Sequence, residues 1–493
     1  MLRPWKMKLA VQRDHTLPVH LQIAQYLADE IRRGRLVPGS ALPGTREVAA
    51  DLAVNRKTVV LAFEELAAQG WVSTQGRRGT FVAARLPGLL PEARAHAAAA
   101  SPIASGEPPY SLYGQALEHA PAGGERAAVV FSDGVPDARL IPYDVLGRAY
   151  RRALIDTARR NGLGYGDPRG DPALRQSVAR MLADERGLQA GPGNVCIVRG
   201  SQMGIYLAAR LLVRPGDHVA VEALSYPPAR EAFRAAGAEV HGLAMDADGM
   251  RPDELEKLCR RTRIRAVYLT PHHQFPTTRL MPAERRVHLL MLAEQFDFAI
   301  VEDDYDHEFH FSHRPMFPMA SVDRSGRVIY VGSLSKVLAP GLRVGYVVGA
   351  PALIDRCAAE ILLIDRQGNP VTERAVSDLM DSGELKRHIR RALRVYEARR
   401  SLMAGRAAQL PPQVAFTLPP GGLALWLRLD SGVDDEALIR LAREEGVQIP
   451  SSRPFCATGG LPGGLRLGYA SLAPAEIEAG LDGLARALGR LPA

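Results

Sequence analysis

The chain has 493 residues, 46% hydrophobic and 24% charged: an ordinary globular composition that argues against wholesale disorder, in a chain too long for one core. No run approaches the roughly 20 apolar residues of a membrane helix, the N-terminus lacks the apolar core of a secretion signal, and the four cysteines are scattered, so membrane spans, disulfide scaffolds and cysteine zinc sites are not expected and a cytoplasmic location is. The net charge of +8 is uneven: residues 1–85 carry 13 Lys/Arg against 7 Asp/Glu, a balance of +6, which points a small basic module towards a polyanion.

Over 19–33, Ile23, Leu27 and Ile31, with Ala24 and Ala28, recur at helical spacing, and Gly34 closes that helix. Thr45 is a candidate N-cap for a short helix through Leu52. Asn55 is a candidate N-cap for another, whose inward face carries Val59, Val60, Phe63 and Leu66. Two short helices across a tight turn predict a helix-turn-helix, with Arg56, Lys57 and Thr58 at the end that meets base edges and phosphates. WVST and TFVA around QGRRG predict a hairpin wing. Residues 18–83 resemble the winged helix-turn-helix of the GntR family of bacterial repressors and activators. The resemblance implies contacts to double-stranded operator DNA from Arg35, Arg46, Arg56, Thr58 and the wing around Gly79; Lys57 is added from its place at the helix start. The alternative is a three-helix protein-interaction module with a solvated basic face.

Residues 86–127 are rich in Ala, Pro and Gly without sustained apolar periodicity, as in a linker. Beyond them, strand-like runs at 195–198, 218–222, 266–270, 298–302, 328–331 and 344–349 alternate with helical stretches. That alternation predicts an α/β domain with a largely parallel sheet, whose ligand sites lie at strand ends.

Three such ends carry chemistry. After VCIV, the turn Gly200-Ser201-Gln202 opens a helix and offers N–H groups to a phosphate. In AIVEDDYDHEF, Asp303 can keep a pyridine nitrogen protonated and Tyr305 can bond a ring oxygen; an acidic loop or cation site is the alternative. In GSLSKVLAPGLRVGY, Lys336 sits in a tight small-residue turn, where a desolvated amine can form a Schiff base, and Ser333, Ser335 and Arg343 suit a phosphate.

The order Tyr165, Gly200-Ser201-Gln202, Tyr226, Asp303, Tyr305, Lys336, Arg343, Arg466 resembles the fold-type-I pyridoxal phosphate (PLP) enzymes of the aspartate aminotransferase superfamily. The resemblance implies that Lys336 carries the cofactor as a Schiff base, Asp303 pairs with the ring nitrogen, Tyr305 bonds the ring oxygen and Tyr226 stacks on the ring. Ser201, Gln202, Ser333 and Arg343 would hold the phosphate, Tyr165 would reach it from a second subunit, and Arg466 would bind the effector carboxylate. Together with HHQFPTT, these stretches resemble the MocR subfamily, in which a GntR reading head is fused to an aminotransferase-like domain.

The expected fold class is therefore multidomain. An α/β winged helix-turn-helix occupies 8–85 and a linker 86–127. An α/β, fold-type-I, PLP-binding transferase-like domain occupies 128–493, with its large part to about 365 and a small subdomain from 366. The expected function is a homodimeric PLP-dependent transcription regulator that responds to a small amino compound or to PLP itself. Intact Lys336, Asp303, Tyr305 and Arg466 keep open the alternative of a working aminotransferase with an appended regulatory module.

Two departures stand out. Phe275 occupies the position of the family's cofactor-binding asparagine, before Pro276-Thr277-Thr278, so His273 or Gln274 must take over that contact or it is lost. Pro227 and Pro228 follow Tyr226 where subfamily members that sense γ-aminobutyrate carry a second arginine nearby; Arg230 is out of register, which puts that effector in doubt. His307, His310 and His313, with Asp306 and Glu308, read as a solvated polar loop, and no metal site is expected. The arginine-rich stretch 386–400 reads as the solvated face of a long helix.

Overall fold

The computed structural model describes residues 9–13, 17–87, 111–112, 127–311, 316–334, 336–460 and 463–491. Most of 86–127, together with His313 and Ser335, lies outside the described residues. The chain divides into two compact units, Met1–Ala120 and Pro121–Ala493.

In the first unit, helices α1 (Val19–Arg32), α2 (Thr45–Asp51) and α3 (Arg56–Ala68) precede the antiparallel strands β1 (Val72–Thr74) and β2 (Thr80–Val82). Ile23, Leu27 and Ile31 of α1 pack with Val48, Val59, Phe63, Leu66 and Trp71 into one core. Val60, expected inside, is only half-buried, and Ala62 is fully buried alongside Val59 and Leu66 instead. Thr45 does not cap α2: the helix follows Gly44, and the Thr45 hydroxyl instead lies 3.4 Å from Arg56 Nε, across the turn. Asn55 does cap α3, its Oδ1 accepting from Lys57 N at 2.8 Å. Asn55→Ala should therefore cost the unit about 1 kcal/mol, read as an earlier melting step in the first unit with unchanged cofactor content. At the wing tip, Gly79 has φ +111° and ψ −170°, a conformation open essentially to glycine alone.

The second unit contains β3 (Val129–Val130), β4 (Val195–Val198), β5 (His218–Glu222), β6 (Glu239–Leu243), β7 (Met245–Asp246), β8 (Gly249–Met250), β9 (Ile264–Leu269), β10 (Ala299–Asp304), β11 (Val328–Ser333) and β12 (Gly345–Val348). Four more follow, β13 (Val414–Phe416), β14 (Ala424–Leu429), β15 (Val447–Gln448) and β16 (Gly464–Gly468). The central sheet runs β4-β12-β11-β10-β9-β5-β6, parallel except for β12, which is antiparallel to both neighbours. This is the expected largely parallel α/β sheet, its inner strands buried on both faces and its edge strand β6 partly exposed, with Asp303 and Ser333 near the carboxyl ends of adjacent strands. A second sheet, β13-β14-β16, is built from the C-terminal part. β3 pairs with β15, so Val129 and Phe131 join the core of Leu427, Leu441, Tyr469 and Leu484. Among the described residues no helix is long and apolar enough to cross a membrane.

The loop after β10 departs from expectation. His307, Asp306 and Glu308 are buried rather than solvated, and His310 is half-buried. Arg186, also buried, bonds Glu308, Tyr330 and Tyr346, while His307 Nδ1 lies 2.9 Å from Asp304 Oδ2 and its ring stacks on His272. Burial of this charge is tolerated because cation and carboxylates are buried together. The long helix Glu384–Ala407 presents most of its arginines to solvent, but Arg399 is buried and pairs with Asp137 at 2.9 Å.

Candidate functional site

A cavity of about 230 Å³ opens at the carboxyl ends of β10 and β11, lined by Ser201, Gln202, Tyr226, Asp303, Tyr305, Ser333, Lys336 and Arg343. Residues spread over more than 140 positions of sequence are thus gathered by three strand ends and two helix starts. Lys336 Nζ donates to the Gly134 carbonyl at 3.0 Å and lies 5.0 Å from the centroid of the Tyr305 ring. Burial, aided by the Arg466 guanidinium and opposed by Asp133, Asp306 and Asp303, lowers its pKa from the usual lysine value. That is the direction a nucleophilic amine needs.

Asp303 is 3% exposed. Its Oδ2 accepts from the Tyr268 hydroxyl at 2.7 Å, while Oδ1 is buried without a partner. Burial pushes its pKa up to about 7, with Asp304 and Asp306 adding to the rise and Tyr268 and Lys336 opposing it. An unpaired buried carboxylate oxygen is costly, and a protonated heterocycle nitrogen placed in this cavity would satisfy it. Tyr226, at the start of the helix Pro227–Ala235, meets Phe275 edge-on at 5.3 Å between centroids. Its pKa is pushed up to about 12, chiefly by burial and then by Asp303.

The phosphate-binding residues of the sequence reading converge at the other end of the cavity. The helix Ser201–Leu212 begins after Gly200, whose φ is +75°; a Cβ there would fall 2.6 Å from Arg343 Nη2. Glycine at 200 thus lets the guanidinium lie against the helix N-terminus, where the first N–H groups are unsatisfied by the helix itself. Arg343 Nη2 donates to the Arg199 carbonyl at 3.0 Å. The Gln202 Nε2 is directed away, to the Pro228 carbonyl at 3.0 Å.

Tyr165, expected to serve a second subunit, is 82% exposed and lies against Arg366, outside this chain's own cavity. Arg466 is 1% exposed and is not among the cavity-lining side chains. Its Nε and Nη1 donate to the carbonyls of Asp133 and Pro276, at 2.6 and 2.7 Å, and its guanidinium stacks on Phe275. Neither His273 nor Gln274 lines the cavity: His273 Nδ1 lies 2.7 Å from Asp306 Oδ1, and Gln274 Nε2 donates to the Leu224 carbonyl at 2.7 Å. Phe275 itself forms that wall, and the Tyr305 hydroxyl donates to the His273 carbonyl at 2.8 Å. Arg230 is buried elsewhere, bonded to the carbonyls of Phe455 and Pro454.

Sequence reasoning missed Asp133, which lines the cavity, and Tyr268, the donor to Asp303. Neither sits in a motif; Tyr268 is one tyrosine in an apolar strand, and only the register of β9 beside β10 brings it to the carboxylate.

Comparison with known proteins agrees with both halves. Residues 142–484 match the aminotransferase class I and II family and residues 20–82 the gntR family of bacterial regulatory proteins. The chain is 31% identical to the probable rhizopine catabolism regulatory protein MocR of Rhizobium meliloti, over 97% of this chain and 95% of that one. It is 33% identical to the HTH-type transcriptional regulator TauR of Rhodobacter capsulatus, over 95% and 96%. Among solved structures, the multiple substrate aminotransferase of Thermococcus profundus superposes with TM-score 0.70 at 29% identity, over 74% of this chain and 92% of that one. The alpha-aminoadipate aminotransferase LysN of Thermus thermophilus, complexed with N-(5'-phosphopyridoxyl)-L-leucine, does so with TM-score 0.68 at 31% identity, over 74% and 92%. With a GntR reading head and a class I and II aminotransferase domain on one chain, the protein belongs to the MocR-type subfamily of GntR regulators, PLP-binding transcription regulators.

Proposed function

We propose that this regulator is a cytoplasmic homodimer that binds operator DNA through residues 8–85 and senses a small amino compound through residues 128–493. The residues 86–127 are its linker. The observation that carries the effector reading is the pairing, in one cavity, of Lys336 with the unpartnered Asp303 Oδ1. Bound PLP supplies an aldehyde that condenses with amines and a ring that accepts electron density. Around it, Lys336 Nζ would hold the aldehyde carbon and Asp303 Oδ1 would accept from the ring nitrogen. Tyr226 would cover the ring, Tyr305 would address the ring oxygen, and Ser201, Ser333, Arg343 and the Gln202 backbone N–H would hold the phosphate. Tyr165, exposed on its own chain, reaches the phosphate of a second copy. Arg466 receives a carboxylate once it gives up the Asp133 or Pro276 carbonyl, so an effector acid is paired with movement of those segments. On the reading head, exposed Arg46, Arg56 and Lys57, with Thr58 and the wing at Gly79, meet the DNA. Arg35, paired with buried Glu30 at 3.1 Å, is oriented for a phosphate.

If the amine and the operator act on one equilibrium, each must change the other's affinity by the same factor, typically about 5- to 150-fold. The check is to titrate a panel of amino and ω-amino acids against the PLP-loaded protein, following the visible cofactor band, with and without the operator duplex. The factor should vanish in Arg56→Ala at DNA concentrations that no longer saturate it. Equal affinities in both titrations, with steady keto-acid formation, would instead identify a working aminotransferase.

A further inference from the structure

β6 is the edge strand of the central sheet and pairs in parallel with β5. The register sets His218 beside Glu239 and Ala220 beside His241, so the three polar side chains share one face of the sheet. The small Ala220 leaves the His241 ring room to lean towards His218. His218 Nδ1 lies 3.0 Å from His241 Nε2 and 3.3 Å from Glu239 Oε2, and the three donor atoms all fall within 4.8 Å of one another.

A hydrogen bond between the two rings explains the first distance but not the second. His218 Nδ1 faces a ring nitrogen and a carboxylate oxygen together; one N–H could serve both only as a divided three-centre bond, whereas a shared cation engages all three groups. Ligands at about 2.0–2.1 Å on a tetrahedral zinc ion stand roughly 3.3–3.4 Å apart, close to the separations seen. Glu239 is largely exposed and His218 partly so, which leaves a fourth position open to water. Two imidazoles and one carboxylate suit zinc, nickel or copper and not the all-oxygen shells of magnesium or calcium.

We propose that His218, Glu239 and His241 form a binding site for one divalent transition-metal ion, with Zn²⁺ as its reference occupant, at the edge of the sheet. His218 opens β5, whereas Asp303 lies near the carboxyl end of β10, so the site and the cofactor cavity sit at opposite ends of the strands. The ion's role is accordingly structural. It ties the edge strand to its neighbour and stabilises the folded state in proportion to its occupancy.

The test uses untagged, PLP-loaded, full-length protein stripped with a chelator and titrated with Zn²⁺ against a competing indicator dye. The wild type should bind one more ion per chain than His241→Ala or His218→Ala. Glu239→Gln should weaken that ion by at least the roughly tenfold that loss of an outer partner costs. Saturating Zn²⁺ should raise the melting temperature of the second unit in the wild type and not in His241→Ala, and Mg²⁺ should raise neither. An unchanged visible cofactor band shows that each variant is folded. The same Zn²⁺ stoichiometry and affinity in wild type and His241→Ala would overturn the proposal, as would equal protection by Mg²⁺.

Discussion

Lys336→Ala protein is expected to purify colourless and to yield no borohydride-fixed cofactor peptide. The chain has six lysines. Among the described residues Lys57, Lys257 and Lys386 are exposed, the last two paired with carboxylates, and Lys336 is the one that lines the cavity. Its amine is also the one that burial pushes towards neutrality. Among the described residues no other lysine is therefore placed to take over the covalent attachment. The phosphate contacts proposed for Ser201, Ser333 and Arg343 are untouched in this variant, so PLP should still bind, on the order of 10³-fold more weakly, which corresponds to about 4 kcal/mol. DNA binding by the reading head should survive, and the response to an amine should be lost. A yellow variant whose cofactor is fixed to another lysine would remove Lys336 from its role.

The second large effect is expected from Asp303→Asn. Asparagine keeps the shape and can still accept from Tyr268, but it cannot carry the charge that holds a ring nitrogen protonated. Leaving a buried cation without its counter-charge costs about 3 kcal/mol or more, or roughly 10²-fold in PLP affinity. The pH dependence separates this from a general loss of packing. Without cofactor, burial raises the Asp303 pKa from 3.8 to about 7, so between those values the folded chain holds a proton that the unfolded chain has released. Its contribution to the stability of the cofactor-free protein is full below the lower value and is lost as pH rises through the upper one. A ring cation makes the ionised form favourable. The advantage of wild type over Asp303→Asn in PLP affinity should thus be largest above about pH 7 and shrink below it. Titrations across that range check the slope; an equal pH dependence in both proteins would assign the effect to packing.

The reading head was legible because its signals are local. The helical spacing of Ile23, Leu27 and Ile31 and the Asn55 cap each lie within a few residues, and the helices form there. Thr45 failed as a cap because its hydroxyl answers to Arg56, on the next helix. In the large domain the six apolar strand runs were legible because a doubly covered sheet needs continuous apolar strands. β6, with the sequence EVHGL, and the two- and three-residue strands β15 and β13 were not, since an edge strand and such short, partly exposed strands carry no such run. The loop after β10 was misread as solvated because its carboxylates and imidazoles look hydrophilic in isolation. Arg186, more than 110 residues earlier in the chain, is what allows them inside.

By itself the sequence determined the inventory of the site and its order along the chain: Gly200-Ser201-Gln202, Tyr226, Asp303 with Tyr305, Ser333, Lys336 and Arg343. Each is set by a strand end or a helix start a few residues away. Only the tertiary structure decided which of these groups are open to a ligand. Arg466 is engaged by the carbonyls of Asp133, 333 residues away, and Pro276, 190 away. Asp303 shares one oxygen with Tyr268, 35 residues away, and keeps the other unpaired. His218 and His241 come together through the parallel register of β5 and β6. A polar side chain's chemistry is written in its residue type, but its partners are chosen by strand register and packing over distances that no local pattern spans.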